Sequence, residues 1–390
     1  EHSMNFDFTY ENPTKIYFGK TAMDGLKDEL AKYGSTVLLA YGRGAIKKNG
    51  IYDRIMSDCR AAGKKVVELE GVMPNPTYEK VLEGCRLVRD NNVDLILAVG
   101  GGSVSDCARA ISVSAYCEGD PWERYWIKRE NVDNKLVPVA SVLTMAGTGS
   151  EMNSGTVITN EAKKLKVGRV FPSVVNPKFS ILNPEFTYSV SQYQMVSGIF
   201  DMMSHLMEAY FAGDDDSTSN YLIEGLLRAV IASAKVAVQN PHDYEARSNL
   251  MWASSLAMNP LMGLSKAQDW EVHMIEHQLG AYTDCAHGMG LAAISIPYYR
   301  YVSRFNYGKF ARFAEAVWNI SRDGRTDEQL ASAGIDALAQ FEKDCGMVTR
   351  LRDLNATEEM LPLIAKSTIP GGGYKKMTAE EILTVLKEAY

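Results

Sequence analysis

Along the first half of the chain, short apolar, β-branched runs alternate with stretches in which apolar residues recur at the helical period. "TVLLAYG" (36–42), "KVVELEG" (65–71), "VDLILAVGGG" (93–102) and "LVPVASV" (136–142) are such runs, and most of them stop at glycine. A continuous apolar run of this length fits a strand covered on both faces. Between them, "GIYDRIMSDCRAAGK" (50–64) and "YEKVLEGCRLVRDNN" (78–92) carry the helical pattern. Strand, helix, strand at this spacing predicts βαβ units and a parallel sheet. Further short strands are predicted at 155–159, 166–171 and 178–182.

From "LNPEFTYSVS" onward the rhythm changes. Glycine thins out and long segments of helical period take over, as at 217–238, 243–258 and 309–321. The prediction is a Rossmann-like α/β N-terminal domain over 4–184 and an all-α C-terminal domain over 185–390, with the boundary near Asn183-Pro184. A chain of 390 residues also exceeds the size at which one core usually divides. The three residues before Met4 read as an added leader and, with His2, are set aside.

Composition narrows the class. The net charge of −7, with no long run of one sign, argues against nucleic acid or an anionic membrane as partner. No stretch approaches the roughly 20 apolar residues that span a bilayer, and no signal-peptide pattern is visible. The six cysteines are scattered without a C-x-x-C pair, which predicts reduced thiols and a cytoplasmic setting.

Two glycine-rich turns carry the first chemistry. "AVGGGSVSD" (98–106) follows a strand and opens a helix, where the backbone approaches a phosphate closely and free N–H groups face it. "LTMAGTGSEMN" (143–153) places Thr144, Thr148 and Ser150 just after another strand. Two such loops at the ends of parallel strands suit a dinucleotide. A third strand ends in "YGRGAIKK", where nucleotide-binding sheets usually carry an acidic residue for the ribose 2′-hydroxyl. Here stand Gly42, Arg43 and Gly44, with Lys47 and Lys48 beyond. A carboxylate repels a 2′-phosphate and an arginine attracts it, so NADP(H) is expected.

The second chemistry lies in "HMIEHQLGAYTDCAHG" (273–288), which holds three of the chain's six histidines. His273 and His277 share a helical face, and His287 follows ten residues later. "GIFDMMSHLMEAY" (198–210) adds Asp201 and His205, also four apart. Neutral imidazoles with one carboxylate suit a divalent ion such as Zn²⁺ or Fe²⁺. Spacing alone pairs His273 with His277 and leaves open which imidazoles bind; Cys285 is a weaker candidate.

In this order, "GVMPNPT" (71–77), "GGGSVSD" (100–106), "LTMAGTGSE" (143–151), "GIFDMMSHLMEAY" and "HMIEHQLGAYTDCAHG" make the chain resemble the iron-containing, group III alcohol dehydrogenases. The resemblance covers the chain from Met4, and "YGRGAIKKNG" with "GDPWERYW" points to its NADPH-dependent butanol dehydrogenase and aldehyde reductase branch. It implies a dehydroquinate synthase-like fold with Asp201, His205, His273 and His287 as metal ligands, leaving His277 to position substrate or relay a proton. It implies that Gly101, Gly102, Ser103 and Asp106 line the pyrophosphate and ribose, that Asn75, Thr144 and Thr148 join them, and that Lys166 reaches the nicotinamide ribose. The family motif usually continues from Asp to Ala-Lys, whereas here Asp106 is followed by Cys107, Ala108 and Arg109. NAD-preferring relatives carry an Asp near the position of Arg43.

The resemblance further implies iron as the metal, with zinc and manganese also suited, and a homodimer in which the "KIYFG" strand (15–19) crosses between subunits. The expected reaction is metal-assisted hydride transfer between NADPH and a short- to medium-chain aldehyde such as butanal. Rival readings are a dehydroquinate synthase-like lyase, a non-catalytic binding protein and a metallohydrolase. The lyase needs a basic pocket, where residues 201–287 offer Met202, Met203, Met207, Met258, Met262 and Met274 instead.

Overall fold

Every predicted strand of the first half forms, and the apolar runs explain how. The computed structural model describes residues 7–390; the leader before Met4 lies outside them. The strands are β1 (Lys15–Phe18), β2 (Thr36–Tyr41), β3 (Lys65–Leu69), β4 (Leu95–Gly100), β5 (Val139–Leu143), β6 (Gly155–Asn160), β7 (Leu165–Val170) and β8 (Phe179–Leu182). The helices among them are α1 (Leu26–Leu30), α2 (Ala45–Lys48), α3 (Ile51–Ala61), α4 (Tyr78–Asn91) and α5 (Gly102–Ser114).

Six strands form one parallel sheet in the order β1-β8-β5-β4-β2-β3. Alternate residues of each inner strand enter different cores. Leu38, Ala40, Ile96 and Ala98 pack with Val81, Cys85, Cys107 and Ile111 of α4 and α5. Val37, Leu39, Leu95 and Leu97 pack with Leu26, Ile51 and Ile55 on the opposite face. A strand buried on both faces has no polar positions to alternate with, which is why these runs read as continuous.

After β2 the chain steps outward to β3 and then returns to β4 on the other side of β2. This reversal makes the carboxyl ends of β2 and β4 the topological switch point, where open α/β sheets place their ligands. β1 is an edge strand and pairs in parallel with β8 of its own chain. β6 and β7 stand apart as an antiparallel pair. Only residues 161–164 join them, too few for the crossover that a parallel pairing needs.

From Ser191 onward the chain is helical: α6 (Gln192–Tyr210), α7 (Thr218–Gln239), α8 (Tyr244–Ala257), α9 (Glu271–Thr283), α10 (His287–Val302), α11 (Tyr307–Ala316), α12 (Asp327–Cys345), α13 (Met360–Ser367) and α14 (Ala379–Ala389). The helix predicted over 309–321 ends at Ala316, and Asn319 beyond it has a positive φ of 56°. By their contacts, Glu11–Val190 form one compact unit, and Ser191–Tyr390, with the segment through Tyr10, form the other. No described helix is long and apolar enough to cross a membrane.

Two local features set the helices that matter most. At the start of α9, Asp269 accepts the Glu271 backbone N–H at 2.9 Å. The Tyr298 hydroxyl lies 3.2 Å from Asp269 and 2.8 Å from Glu271, but has one proton to give. Burial, then the neighbouring carboxyl, raises Asp269 to about 8. At the start of α10, a Cβ on Gly288 would stand 1.8 Å from the backbone oxygen of Ser197 on α6, so these helices meet where only a hydrogen fits.

Gly288→Ala therefore forces α10 away from α6 and lowers stability by about 1–3 kcal/mol, read from urea unfolding. Asp269 stays protonated in the folded chain between its ordinary value near ~4 and about 8. The folded state then binds the extra proton, so this group's contribution to stability declines as pH rises through that window. Asp269→Asn should gain stability relative to the parent chain from pH ~4 to ~8, and a constant difference in melting temperature would contradict this.

Candidate metal centre and nucleotide-binding loops

α6 is buried from Met195 to Tyr210, so its polar side chains must find partners inside the protein. Asp201, His205 and Glu208 are three of them, at helical spacings of four and three that bring them to one face. Asp201 Oδ1 lies 3.3 Å from His205 Nε2, 3.4 Å from His273 Nε2 and 3.1 Å from His287 Nε2. The three rings come from α6, α9 and α10.

This geometry suits a cation better than hydrogen bonds. Among the described residues, Asp201 Oδ1 and His273 Nε2 are both buried and make no well-formed hydrogen bond, although ring nitrogens and carboxylate face each other. The donor atoms of Asp201, His205 and His273 lie within 4.8 Å of one another, and His287 reaches the same carboxylate oxygen. One carboxylate with three neutral imidazoles is a donor set for a borderline divalent ion.

The local charges say the same. Burial alone would lower His273, but Glu208 and Asp201 overcome it and raise the ring to about 10. For His205 burial prevails, and its value falls to about 3. Burial would raise Asp201, yet His205 and His287 hold it well below the usual carboxylate range. At His273 the surrounding carboxylates draw a proton onto the ring, and a cation can take that proton's place.

Of the two histidines that follow His273, it is His287 whose Nε2 reaches Asp201. The His277 ring is buried nearby, its centroid 6.1 Å from that of His273 and 6.2 Å from that of His287. Cys285 is a buried cysteine, in no disulfide, and lies outside the converging set. Met202, Met203, Met207 and Met262 belong to the buried core.

Sequence reasoning missed two carboxylates. Glu208 accepts the His273 backbone N–H at 2.9 Å and pairs with the Nδ1 of its ring. Glu276 pairs with His287 Nδ1 at 2.5 Å. The available signal was a repeated H-x-x-E, in His205-Leu206-Met207-Glu208 and His273-Met274-Ile275-Glu276.

In the α/β unit, the expected cofactor residues gather at the carboxyl ends of the parallel strands. Gly42, Arg43 and Gly44 follow β2, Asn75 lies between β3 and α4, Gly101, Gly102 and Ser103 open α5, and Thr144 and Thr148 follow β5. Arg43 is exposed, whereas Lys47 lies 3.9 Å from Glu70. A Cβ on Gly102 would stand 2.2 Å from Thr148 Oγ1, so the second loop rests on the α5 N-terminus. Lys166, on β7, donates to Asn75 Oδ1 at 2.7 Å.

Asp106 turns toward the protein. Its Oδ1 accepts from Ser150 Oγ at 2.7 Å and from Arg109 Nη2 at 3.2 Å, and its Oδ2 accepts the Val157 backbone N–H at 3.1 Å. Arg109 is wholly buried and donates to the backbone oxygens of Ser150 and Gly155, each at 2.5 Å, clamping the loop after β5. The departure from lysine at 109 therefore has a structural consequence, because a guanidinium reaches several acceptors at once. Arg109→Lys should lower stability by about 1–3 kcal/mol through unsatisfied buried acceptors, read as a lower urea midpoint.

Comparison with known proteins adds an independent line. The family model described as iron-containing alcohol dehydrogenase matches residues 13–184, and the model of the family's C-terminal region matches residues 195–390. NADH-dependent butanol dehydrogenase A of Clostridium acetobutylicum is 38% identical, covering 98% of this chain and 99% of that protein. The NADPH-dependent aldehyde reductase YqhD of Escherichia coli is 34% identical, with 92% of each covered. A crystal structure of an NADH-dependent butanol dehydrogenase A from Thermotoga maritima superposes with a TM-score of 0.93 at 35% identity, covering 100% of both chains.

Proposed function

The chain belongs to the iron-containing alcohol dehydrogenase family, and from that premise we propose that it is an NADPH-dependent aldehyde reductase acting reversibly on short- to medium-chain substrates such as butanal. The observation that carries this reading is the approach of three imidazole Nε2 atoms to one buried carboxylate oxygen, within 3.1–3.4 Å. Asp201, His205, His273 and His287 would hold a divalent ion, iron by the family's precedent, with zinc and manganese also suited. When bound, that ion supplies Lewis acidity toward the substrate oxygen.

The balanced reaction is aldehyde, NADPH and a proton giving alcohol and NADP⁺. His277 is assigned the proton: it is buried one helical turn from His273 on α9. Gly101, Gly102 and Ser103 present the α5 N-terminus to the pyrophosphate, and Thr144 and Thr148 add short donors beside it. Asn75 and Lys166 act together through their hydrogen bond, toward the nicotinamide ribose. Asp106 serves the cofactor by holding the Ser150 loop in place.

Relatives are named for either cofactor. NADPH is favoured here by the exposed Arg43 between Gly42 and Gly44, at the switch point of the sheet, where a carboxylate would repel the 2′-phosphate. The reading also includes a homodimer, from family resemblance, and a cytoplasmic setting, consistent with six cysteines of which none is in a disulfide.

Absorbance at 340 nm with butanal, before and after chelation and metal return, tests the whole reading. The expected result is metal-restored oxidation of NADPH, faster than that of NADH. Absence of turnover with every short aldehyde, despite bound ion and cofactor, would favour the lyase or the non-catalytic binding protein. Arg43→Asp should raise KM for NADPH about tenfold or more through loss of a charge-assisted contact, with little change for NADH. His277→Ala should lower kcat about 100-fold or more while metal content stays at the parent level; loss of the ion would instead make His277 a ligand.

A further inference from the structure

Each carboxylate of the repeated H-x-x-E braces a histidine on the next ligand-bearing helix, not the histidine of its own motif. Glu208 on α6 holds His273 on α9, and Glu276 on α9 holds His287 on α10. Both are almost completely buried, at 3% and 0% exposure, where a carboxylate is costly unless it is well partnered. Ser204 donates to Glu208 at 2.7 Å, fixing that carboxylate in turn. His205 has no such brace: its Nδ1 is buried without a hydrogen-bond partner among the described residues.

We propose that Glu208 and Glu276 are positioning residues that set how tightly the centre retains its ion. The inference rests on the metal reading above. A carboxylate accepting from imidazole Nδ1 keeps a proton on that nitrogen, so Nε2 is the one left to bind the ion, and makes Nε2 a stronger donor toward it. It also fixes the ring's orientation before any ion arrives. The bond from the His273 backbone N–H to Glu208 locks the first turn of α9 to α6 as well. Two carboxylates thus tie three helices in sequence, so that the four ligands present one arrangement instead of many.

The test uses the full-length protein loaded with Zn²⁺ and compares Glu208→Gln, Glu276→Gln and a control, Glu342→Gln. Glu342 is a fully buried carboxyl on α12 with no hydrogen-bond partner for either side-chain oxygen among the described residues. Zinc retention is measured by competition with a chromophoric chelator, and the fold by circular dichroism melting of the metal-free protein. Glu208→Gln and Glu276→Gln should each weaken retention about 10- to 100-fold, with Glu342→Gln matching the parent. Ser204→Ala, which leaves every ligand and both glutamates in place, should weaken it by a smaller factor and serves if Glu208→Gln does not fold.

Parent-like zinc retention in both glutamine variants would overturn the proposal. Equal loss in Glu342→Gln would overturn it too, because the effect would then be general loosening. Failure of the metal reading itself has a different signature: the parent would retain zinc no better than Asp201→Ala, whatever the glutamates do.

Discussion

Asp201 carries a charge inside a helix that is buried on all sides, and that charge organises much of the helical unit. Three imidazoles from three helices meet its carboxylate. Two of those rings bring buried carboxylates of their own, Glu208 and Glu276. The centre is therefore an alternation of acid and base, in which each group is tolerable in the interior only because of the next. Its geometry also limits the backbone, since α10 reaches α6 only through the missing side chain at Gly288.

The α/β unit meets a different constraint. A parallel sheet with helices on both faces hides its apolar runs completely, and its carboxyl-terminal edge is where turns stay open to ligands. Loops there must be short of bulk yet rigid. Gly102 lets Thr148 rest on the start of α5, while Arg109 and Asp106 fasten the loop from beneath. At these loops Arg109 and Asp106 serve as internal fasteners, while the exposed Arg43 stays free of that task.

Asp106 shows how a motif is legible before its role is. Its position in "GGGSVSD" marks a glycine-rich turn at the start of α5, but its two oxygens are taken by Ser150, Arg109 and Val157. The same holds for Arg109, which looks like a conservative exchange for lysine and is in fact a clamp with several acceptors. The pair in H-x-x-E is the mirror case: one helical turn separates His from Glu in the sequence, yet each Glu spends its bond on another helix.

By itself the sequence determined the βαβ rhythm, the helical second half, the glycine turns and the residue types of the candidate metal set. These follow from local rules: the continuous apolar runs of strands covered on both faces, the 3.6-residue helical period, and the chemistry that imidazole and carboxylate share. The tertiary structure decided that β6 and β7 leave the parallel sheet as a hairpin, that α11 stops at Ala316, and that Glu208 and Glu276 stand behind His273 and His287. It also decided which histidine meets Asp201, as His277 lies one turn from His273 while His287 arrives on another helix. Periodicity reports which face of its own helix a side chain occupies; which side chain of another helix it meets depends on how the helices pack, and that information is spread over the whole chain.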